Sequence, residues 1–283
     1  MSSQMGALLA SGLDELRHEP IGKRIRAVLG GGTVVDSTRA VLVWEPRRIV
    51  PSYAVPAGDV RGELAPATAA AGATEEAGVQ MPGLSRRPVL TPSVPFAAHT
   101  ADGQVVDVRA RGQDRPGAGF RLADPDLAGY IVLDFRAFDA WYEEDEPNVA
   151  HPRDPFHRID VLASSRHVRL ELDGQVLAES SRPMLLFETM LPVRYYLPRE
   201  DIRAELSPSG TRTYCAYKGQ ASYWSATVGD RVVPDIAWAY QEPLHDAAQI
   251  RGLTAFFDER VDVVVDGERR ERPITPWTSG PRA

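Results

Sequence analysis

An internal repeat is the feature of this sequence that most restricts its fold. Residues 25–45 align without a gap on residues 168–188, and residues 53–64 align on residues 195–206 after a shift of one residue. Self-similarity at this spacing indicates tandem copies of one domain. Identical residues at aligned positions include Arg26, Ser37, Arg39, Leu42 and Glu45 in the first copy, which meet Arg169, Ser180, Arg182, Leu185 and Glu188 in the second.

The repeat and its flanking segments predict a division of the chain. At 283 residues the chain is long enough for two domains that each bury an ordinary core. The Arg- and Pro-rich tail is expected to be disordered, with Trp277 as the one residue placed to dock on the body. The predicted parts are an N-terminal extension at 1–23, a first repeat domain at 24–146, a linker at 147–163, a second repeat domain at 164–266 and the tail at 267–283.

Polar and apolar residues alternate through both copies. Residues 168–172 alternate in this way, and the Asp173-Gly174 pair that follows them is typical of a hairpin turn. Such strands are half buried and pair antiparallel. The sequence therefore predicts a mainly β protein of two tandem antiparallel β domains with short helices, one at residues 5–17 and one that begins at Pro198.

The copies differ between their matched blocks. Residues 65–94 of the first copy are mostly small and carry too few apolar side chains to order themselves. The corresponding place in the second copy holds residues 213–224, Thr-Tyr-Cys-Ala-Tyr-Lys-Gly-Gln-Ala-Ser-Tyr-Trp, with the chain's one cysteine and one of its lysines. Arginine outnumbers lysine 30 to 2, so a lysine here is unusual. We expect the first copy to be a degenerate support and the second to carry the functional site.

Charge and composition limit the classes of partner. A net charge of −7 argues against a nucleic acid held through its phosphates. No segment approaches the roughly 18 apolar residues of a membrane span, and the first twenty residues lack a secretory leader. A single cysteine excludes an internal disulfide, and no Cys/His cluster has zinc-ligand spacing. We expect a cytoplasmic bacterial protein that binds a small molecule without a metal or other cofactor, and its oligomeric state stays open.

Five phrases of the sequence, taken together, are typical of one known family: residues 139–145, 151–160, 195–203, 213–224 and 237–240. With them the chain resembles the bacterial and fungal family of domain of unknown function 427, in a tandem form. The resemblance covers most of residues 24–266. It implies compact, mostly antiparallel β domains similar to the β-tent architecture of some zinc-binding and ligand-binding domains, here without their zinc cysteines.

Cys215 and Lys218 are the centre of the candidate site. A thiol becomes nucleophilic where a nearby cation favours its thiolate, and Lys218 lies three residues away. The alternative for Cys215 is a small buried apolar residue, and the alternative for Lys218 is an exposed turn residue that packs its stem on Tyr217. Glu188 completes the predicted catalytic set, as an acid or base if it is partly buried.

Aromatic and arginine side chains are predicted to line the site. Aromatic faces suit a planar or cationic ligand, and an arginine suits a carboxylate or phosphate. About half of the aromatic residues are expected to serve as core instead, because alternate strand residues face inward. His157 is assigned a bracing role outside the catalytic set. The predicted substrate-binding residues are Tyr217, Tyr223, Trp224, Arg194, Tyr195 and Trp238.

Three functions stay open at this point. The first is an enzyme that acts on a small polar molecule with a carbonyl, carboxylate or phosphate group, in which Lys218 captures the molecule and Cys215 acts as nucleophile. The second is a binding module without catalysis. The third is a structural protein, in which Lys218 lies in solvent. The nucleotidyltransferase label that is attached to the family is disfavoured, because no Gly-Ser segment precedes an Asp-x-Asp magnesium pair.

Overall fold

Two compact units, Met1–Asp154 and Pro155–Ala283, make up the computed structural model of the chain. The structure describes residues 2–67, 78–81 and 87–278. Strands predominate in both units, and neighbouring strands of each sheet run antiparallel. The predicted mainly β class is therefore confirmed.

The first unit begins with helix α1, Met5–Ser11, which the 3-10 helix Gly12–Asp14 extends. The helical part is shorter than the predicted range because Arg17 already belongs to a strand. The strands described in this unit are β1 Arg17–Pro20, β2 Ile25–Leu29, β3 Gly32–Ser37, β4 Val41–Trp44, β5 Ser52–Pro56, β6 Glu63–Pro66, β7 Gly103–Ala110, β8 Gln113–Leu122, β9 Tyr130–Leu133, β10 Ala140–Glu143 and β11 Glu146–Asn148. Further 3-10 helices are Ala57–Asp59, Pro125–Leu127 and Phe135–Ala137.

The described strands of the first unit form sheets with the orders β1-β4-β5-β9-β8-β7-β6 and β11-β10-β2-β3. Both sheets contribute to one core. Ile25 and Trp141 come from the smaller sheet, and Leu42, Tyr53 and Ile131 come from the larger one. Each is almost fully buried, and burying a side chain of this size contributes roughly 1.5–3 kcal/mol.

The second unit contains a corresponding set of strands. β12 lies inside the predicted linker, and it pairs with β15 of the second unit. The helix predicted from Pro198 is the short 3-10 helix Arg199–Asp201, and a second 3-10 helix is His245–Ile250. The strands described are β12 Ile159–Ala163, β13 Val168–Leu172, β14 Gln175–Ser180, β15 Met184–Glu188, β16 Arg194–Tyr196, β17 Leu206–Cys215, β18 Gly219–Val228, β19 Arg231–Tyr240, β20 Thr254–Phe256, β21 Asp262–Val265 and β22 Glu268–Arg269.

Strand order in the second unit follows that of the first. The described strands form the orders β12-β15-β16, β17-β18-β19-β20 and β14-β13-β21-β22. A bridge between Leu197 and Thr254 connects the end of β16 with β20. When the first two orders are joined at this bridge, they give the same succession of strands as the seven-stranded sheet of the first unit. The third order corresponds to β3-β2-β10-β11, with hairpins β2–β3 and β13–β14 in equivalent places.

A buried serine closes the same turn in both units. Ser37 donates to Asp59 at 2.6 Å, and Ser180 donates to Asp201 at 2.7 Å. Each serine oxygen also accepts the backbone N–H two residues further along, at 3.1 Å in both cases. One hydroxyl therefore joins the end of a hairpin strand to the 3-10 helix that follows later in the chain.

Part of the first-copy segment that was predicted to lack order is ordered. Met81 and Val89 are buried with Ala10 and Leu13 in a small apolar cluster. That prediction was wrong for these residues, because the N-terminal helix supplies the apolar partners that the segment lacks by itself. The prediction also falls on residues 68–77 and 82–86, which lie outside the described residues.

We expect Ser37→Ala and Ser180→Ala each to destabilise its own unit by about 1 kcal/mol, because each removes a buried hydrogen bond. Native-state hydrogen exchange of the amides of β3 and β14 measures the two effects separately. The exposed neighbours Thr38 and Ser181 provide matched controls, and Thr38→Ala and Ser181→Ala should leave exchange unchanged. Equal exchange in all four variants would contradict the role given to the hydroxyls.

Candidate functional site

The hairpin of β17 and β18 carries both Cys215 and Lys218. β17 ends at Cys215 and β18 begins at Gly219, whose φ of +89° is a conformation that other residues rarely adopt. The turn between them points inward, since Tyr217 is 6% exposed and Lys218 is 9% exposed. This burial excludes the alternative of an exposed turn lysine.

A carboxylate receives the buried lysine. The Nζ of Lys218 donates to Oε2 of Glu188, the last residue of β15. The other carboxylate oxygen, Oε1, lies 3.0 Å from Nε2 of His157. The imidazole of His157 stacks on the ring of Tyr217 at 4.3 Å between centroids. Glu188 therefore holds two basic side chains that come from different parts of the second unit.

The charge of Glu188 is fixed by these partners. Burial alone would raise the pKa of Glu188, but the nearby Lys218 ammonium and the bond to His157 outweigh it and lower the pKa to about 2. The carboxylate is ionised at neutral pH. This state favours a role in holding and orienting Lys218 and His157 over a role as the group that moves protons.

Two buried phenols, Tyr196 and Tyr240, lie in an apolar cluster with Leu186, two residues before Glu188 in β15. Tyr196 accepts a hydrogen bond from Nε1 of Trp238 at 3.0 Å. Burial raises the pKa of Tyr240 well above the ordinary tyrosine value. Cys215, which is half-buried, pairs with Gly219 across the turn that carries Lys218.

Two of the predicted substrate-binding residues, Trp238 and Tyr223, pack with these phenols. Trp238 is buried in one apolar cluster with Tyr196 and Tyr240, and Tyr223 packs against that cluster. Phe257 joins them, because its ring lies 4.5 Å from that of Trp238 and 6.3 Å from that of Tyr223. This face is the apolar part of the candidate site.

Two other predicted substrate-binding residues, Trp224 and Tyr195, do not belong to this cluster. Trp224 and Tyr195 pack against a different core cluster, which includes Leu170 and Ile236. Trp224 directly follows Tyr223 in β18, and Tyr195 directly precedes Tyr196 in β16. Neighbouring strand residues point to opposite faces. Trp224 and Tyr195 are therefore placed in the domain core and not beside Lys218.

Arg194 is engaged by acidic and aromatic side chains. Its guanidinium donates to both oxygens of Glu259, at 3.0 and 2.5 Å, and lies 3.6 Å from Asp258. It also lies 5.6 Å from the ring of Trp238 and 5.7 Å from that of Trp277. The tail was predicted to be disordered, and this was wrong for residues 267–278, because a turn and these contacts hold them. Residues 279–283 of the predicted tail lie outside the described residues.

Sequence reasoning left two of these residues out of the predicted site. Tyr195 was predicted to bind substrate instead of its neighbour Tyr196, and His157 was assigned a bracing role outside the catalytic set. The alternation of β16 was a signal for Tyr196. His157 had no comparable signal, because its contact with Glu188 joins residues 31 positions apart.

Residues 160–267 match the family model described as Domain of unknown function (DUF427). The match lies within the second unit. The match confirms the resemblance for these residues, and it detects one copy, so the tandem form stays a prediction. The nucleotidyltransferase label belongs to the name of the model and describes no activity of this chain. No curated protein matches the sequence.

Two further findings concern metal ions and membranes. Among them, no group of three or more His, Cys, Asp or Glu side chains is arranged to hold a metal ion. No helix in the same residues has the length and apolar character needed to cross a membrane.

We expect Glu188→Gln to lower the stability of the second unit by roughly 3 kcal/mol at neutral pH, because the ionised carboxylate stabilises the fold. The folded-state pKa is lowered, so this stabilisation is present above pH 4.5 and is lost as the pH falls toward about 2. Urea unfolding followed between pH 3 and 7 should show the difference between wild type and variant shrinking with acid. A difference independent of pH would contradict the ion pair.

Asp258 should show the opposite dependence on pH. Burial raises its pKa to about 7, and the charge of Glu259 adds to this effect while Arg194 opposes it. Because the folded-state pKa is raised, the stabilisation from this group is complete below pH 3.8 and is lost as the pH rises to about 7.

We expect Asp258→Asn to match wild-type stability near pH 4 and to exceed it at pH 8, because the amide cannot ionise. Urea unfolding at both pH values measures the difference. A constant difference between the two proteins across this range would show that Asp258 does not titrate there.

Proposed function

We propose that the second unit of this chain binds a small anionic molecule, one with a carboxylate or phosphate group, at Lys218 and His157. The observation that carries the proposal is that one buried carboxylate, Glu188, holds two basic side chains. An ammonium has three donors, so the bond to Glu188 leaves donor capacity on Lys218. Burial strengthens the attraction of these groups for a second anion.

The surroundings of the ion pair support a small ligand with an apolar part. The phenols of Tyr196 and Tyr240 stay protonated, because burial raises the pKa of both, and a protonated phenol can donate to an oxygen. Trp238 and Tyr223 offer flat apolar surface on the same face. Cys215 is half-buried at the end of β17, three residues before Lys218.

Catalysis on the same molecule is the second candidate. The bond of 3.0 Å between Glu188 and His157 is the observation that favours it, because a carboxylate that orients an imidazole is a common arrangement for a general base. In this case His157 moves the proton and Glu188 keeps it oriented. Covalent capture by Lys218 has less support, since its ammonium is paired with a carboxylate and amine chemistry requires the neutral amine.

We also infer that the first unit is a second, supporting copy of the domain. The shared strand order and the matching serine contacts support this inference. So does Glu45, a buried residue that directly follows β4 and aligns with Glu188. Glu45 accepts the backbone N–H of Thr100 at 2.7 Å and lies 3.0 Å from Nδ1 of His99. The carboxylate of Glu45 thus has a backbone N–H and a histidine as partners, whereas that of Glu188 has a lysine and a histidine.

The proposal is tested by a thermal-shift screen of the full chain against small carboxylates and phosphomonoesters. We expect at least one compound to raise the Tm, and Lys218→Met to weaken its binding at least about tenfold, as measured by titration calorimetry. Lys23→Met is the matched control, because Lys23 is the other lysine and pairs with Glu143 at 2.6 Å in the first unit. Its binding should equal that of wild type.

Two outcomes would overturn the binding proposal: no compound that stabilises the chain, or hits that bind the Lys218→Met variant as tightly as wild type. Incubation of each hit with the protein, followed by NMR of the compound, separates binding from catalysis. Conversion that His157→Gln stops would favour the second candidate.

A further inference from the structure

The C-terminal residues 273–278 form a strap with one buried side chain. Thr275 is 1% exposed, whereas Ile274 is 55% exposed and Trp277 is 42% exposed. The hydroxyl of Thr275 donates to Oε1 of Glu259 at 2.5 Å. A short polar residue is therefore inserted into the domain while its neighbours stay at the surface.

The strap is folded on itself in a way that aims this hydroxyl. The backbone N–H of Thr275 donates to Oγ1 of Thr278 at 2.7 Å, and the N–H of Thr278 donates to the carbonyl of Thr275 at 3.1 Å. The N–H of Trp277 donates to the Thr275 hydroxyl oxygen at 3.1 Å. The hydroxyl accepts from its own turn, and its proton is directed to Glu259.

The groups that the strap contacts lead to the proposed site. Glu259 binds Arg194, and the guanidinium of Arg194 lies within 6 Å of the rings of both Trp277 and Trp238. Trp238 in turn donates to Tyr196, one of the buried phenols of the candidate site. The strap therefore contacts Arg194, which packs on Trp238, and these two side chains are called the Arg194–Trp238 wall.

Side chains alone attach the strap to the domain. Among the residues that the structure describes, the last backbone hydrogen bond from the tail to the domain is that from Arg270 to Val263. Beyond it, the attachments are Arg272 to Asp262 at 3.2 Å, Thr275 to Glu259, and the indole of Trp277 over Arg194. The strap also lies outside residues 160–267, the span that matches the family model. Such a segment can separate without unfolding a sheet.

We propose that residues 273–278 are a reversible latch, which fixes the Arg194–Trp238 wall when Thr275 is bound to Glu259 and frees it when the strap separates. The latch goes beyond the proposed function, because its opening and closing require no ligand. In the closed latch Trp277 lies over Arg194, and both Arg194 and Thr275 donate hydrogen bonds to Glu259. Opening leaves Arg194 with Trp238 as its aromatic neighbour and exposes Glu259 to solvent.

Native-state proteolysis of the full chain tests the latch. Chymotrypsin cleaves after an indole residue in an extended segment, so cleavage after Trp277 reports separation of the strap. We expect Thr275→Val, which keeps the shape and loses the hydroxyl, to raise the cleavage rate about tenfold or more. Thr275→Ser keeps the hydroxyl and should be cleaved at nearly the wild-type rate, as should Ile274→Ala at the exposed neighbour.

Indole N–H signals in an NMR spectrum provide the second measurement. In the Thr275→Val variant the signals of Trp277 and Trp238 should shift, whereas those of Trp44 and Trp141 in the first unit should stay. The latch is overturned if Thr275→Val is cleaved at the wild-type rate, or if Thr275→Ser is cleaved as fast as Thr275→Val. It is also overturned if the Trp238 signal does not move, or if cleavage follows global unfolding in urea. None of these outcomes depends on whether a ligand binds at Lys218.

Discussion

A buried ion pair between Lys218 and Glu188 is the interaction on which the second unit's polar centre depends. Taking an ammonium out of water costs several kcal/mol unless a partner and further hydrogen bonds compensate it. Glu188 supplies the partner from the end of β15, and His157 occupies the other carboxylate oxygen. The pair therefore ties the turn between β17 and β18 to the β12–β15 sheet, and the inward turn is stable only because this acceptor is there.

Strand alternation decides which aromatic residues belong to the site and which belong to the core. Tyr195 and Tyr196 are neighbours in β16, as Tyr223 and Trp224 are in β18, yet each pair divides between two apolar clusters. The two sheets that contain β16 and β18 thus have apolar residues on both faces. One face closes the domain, and the other lines the ion pair with phenols and an indole.

Local patterns were enough to predict the fold class, and composition was enough to single out Lys218. Alternation and the Asp173-Gly174 pair predicted antiparallel strands and a hairpin, which the structure contains. Glu188 was predicted to act as an acid or base, and its role as the ionised partner of Lys218 was not predicted, because its pKa depends on contacts between residues 30 and 31 positions apart. Trp277 was expected to dock and lies over Arg194, but the contribution of Thr275 was not predicted, because one threonine in a polar segment has no sequence signature.

Glu45 and Glu188 occupy equivalent strand ends but are satisfied by different donors. In the first unit the donors are backbone N–H groups and a histidine, and in the second they are a lysine and a histidine. The two carboxylates thus have different hydrogen-bond partners, although the strands that carry them occupy corresponding places in the two strand orders. Exchange of one donor, such as His99, would therefore change the charge around the carboxylate of Glu45 and leave the strands that carry it unchanged.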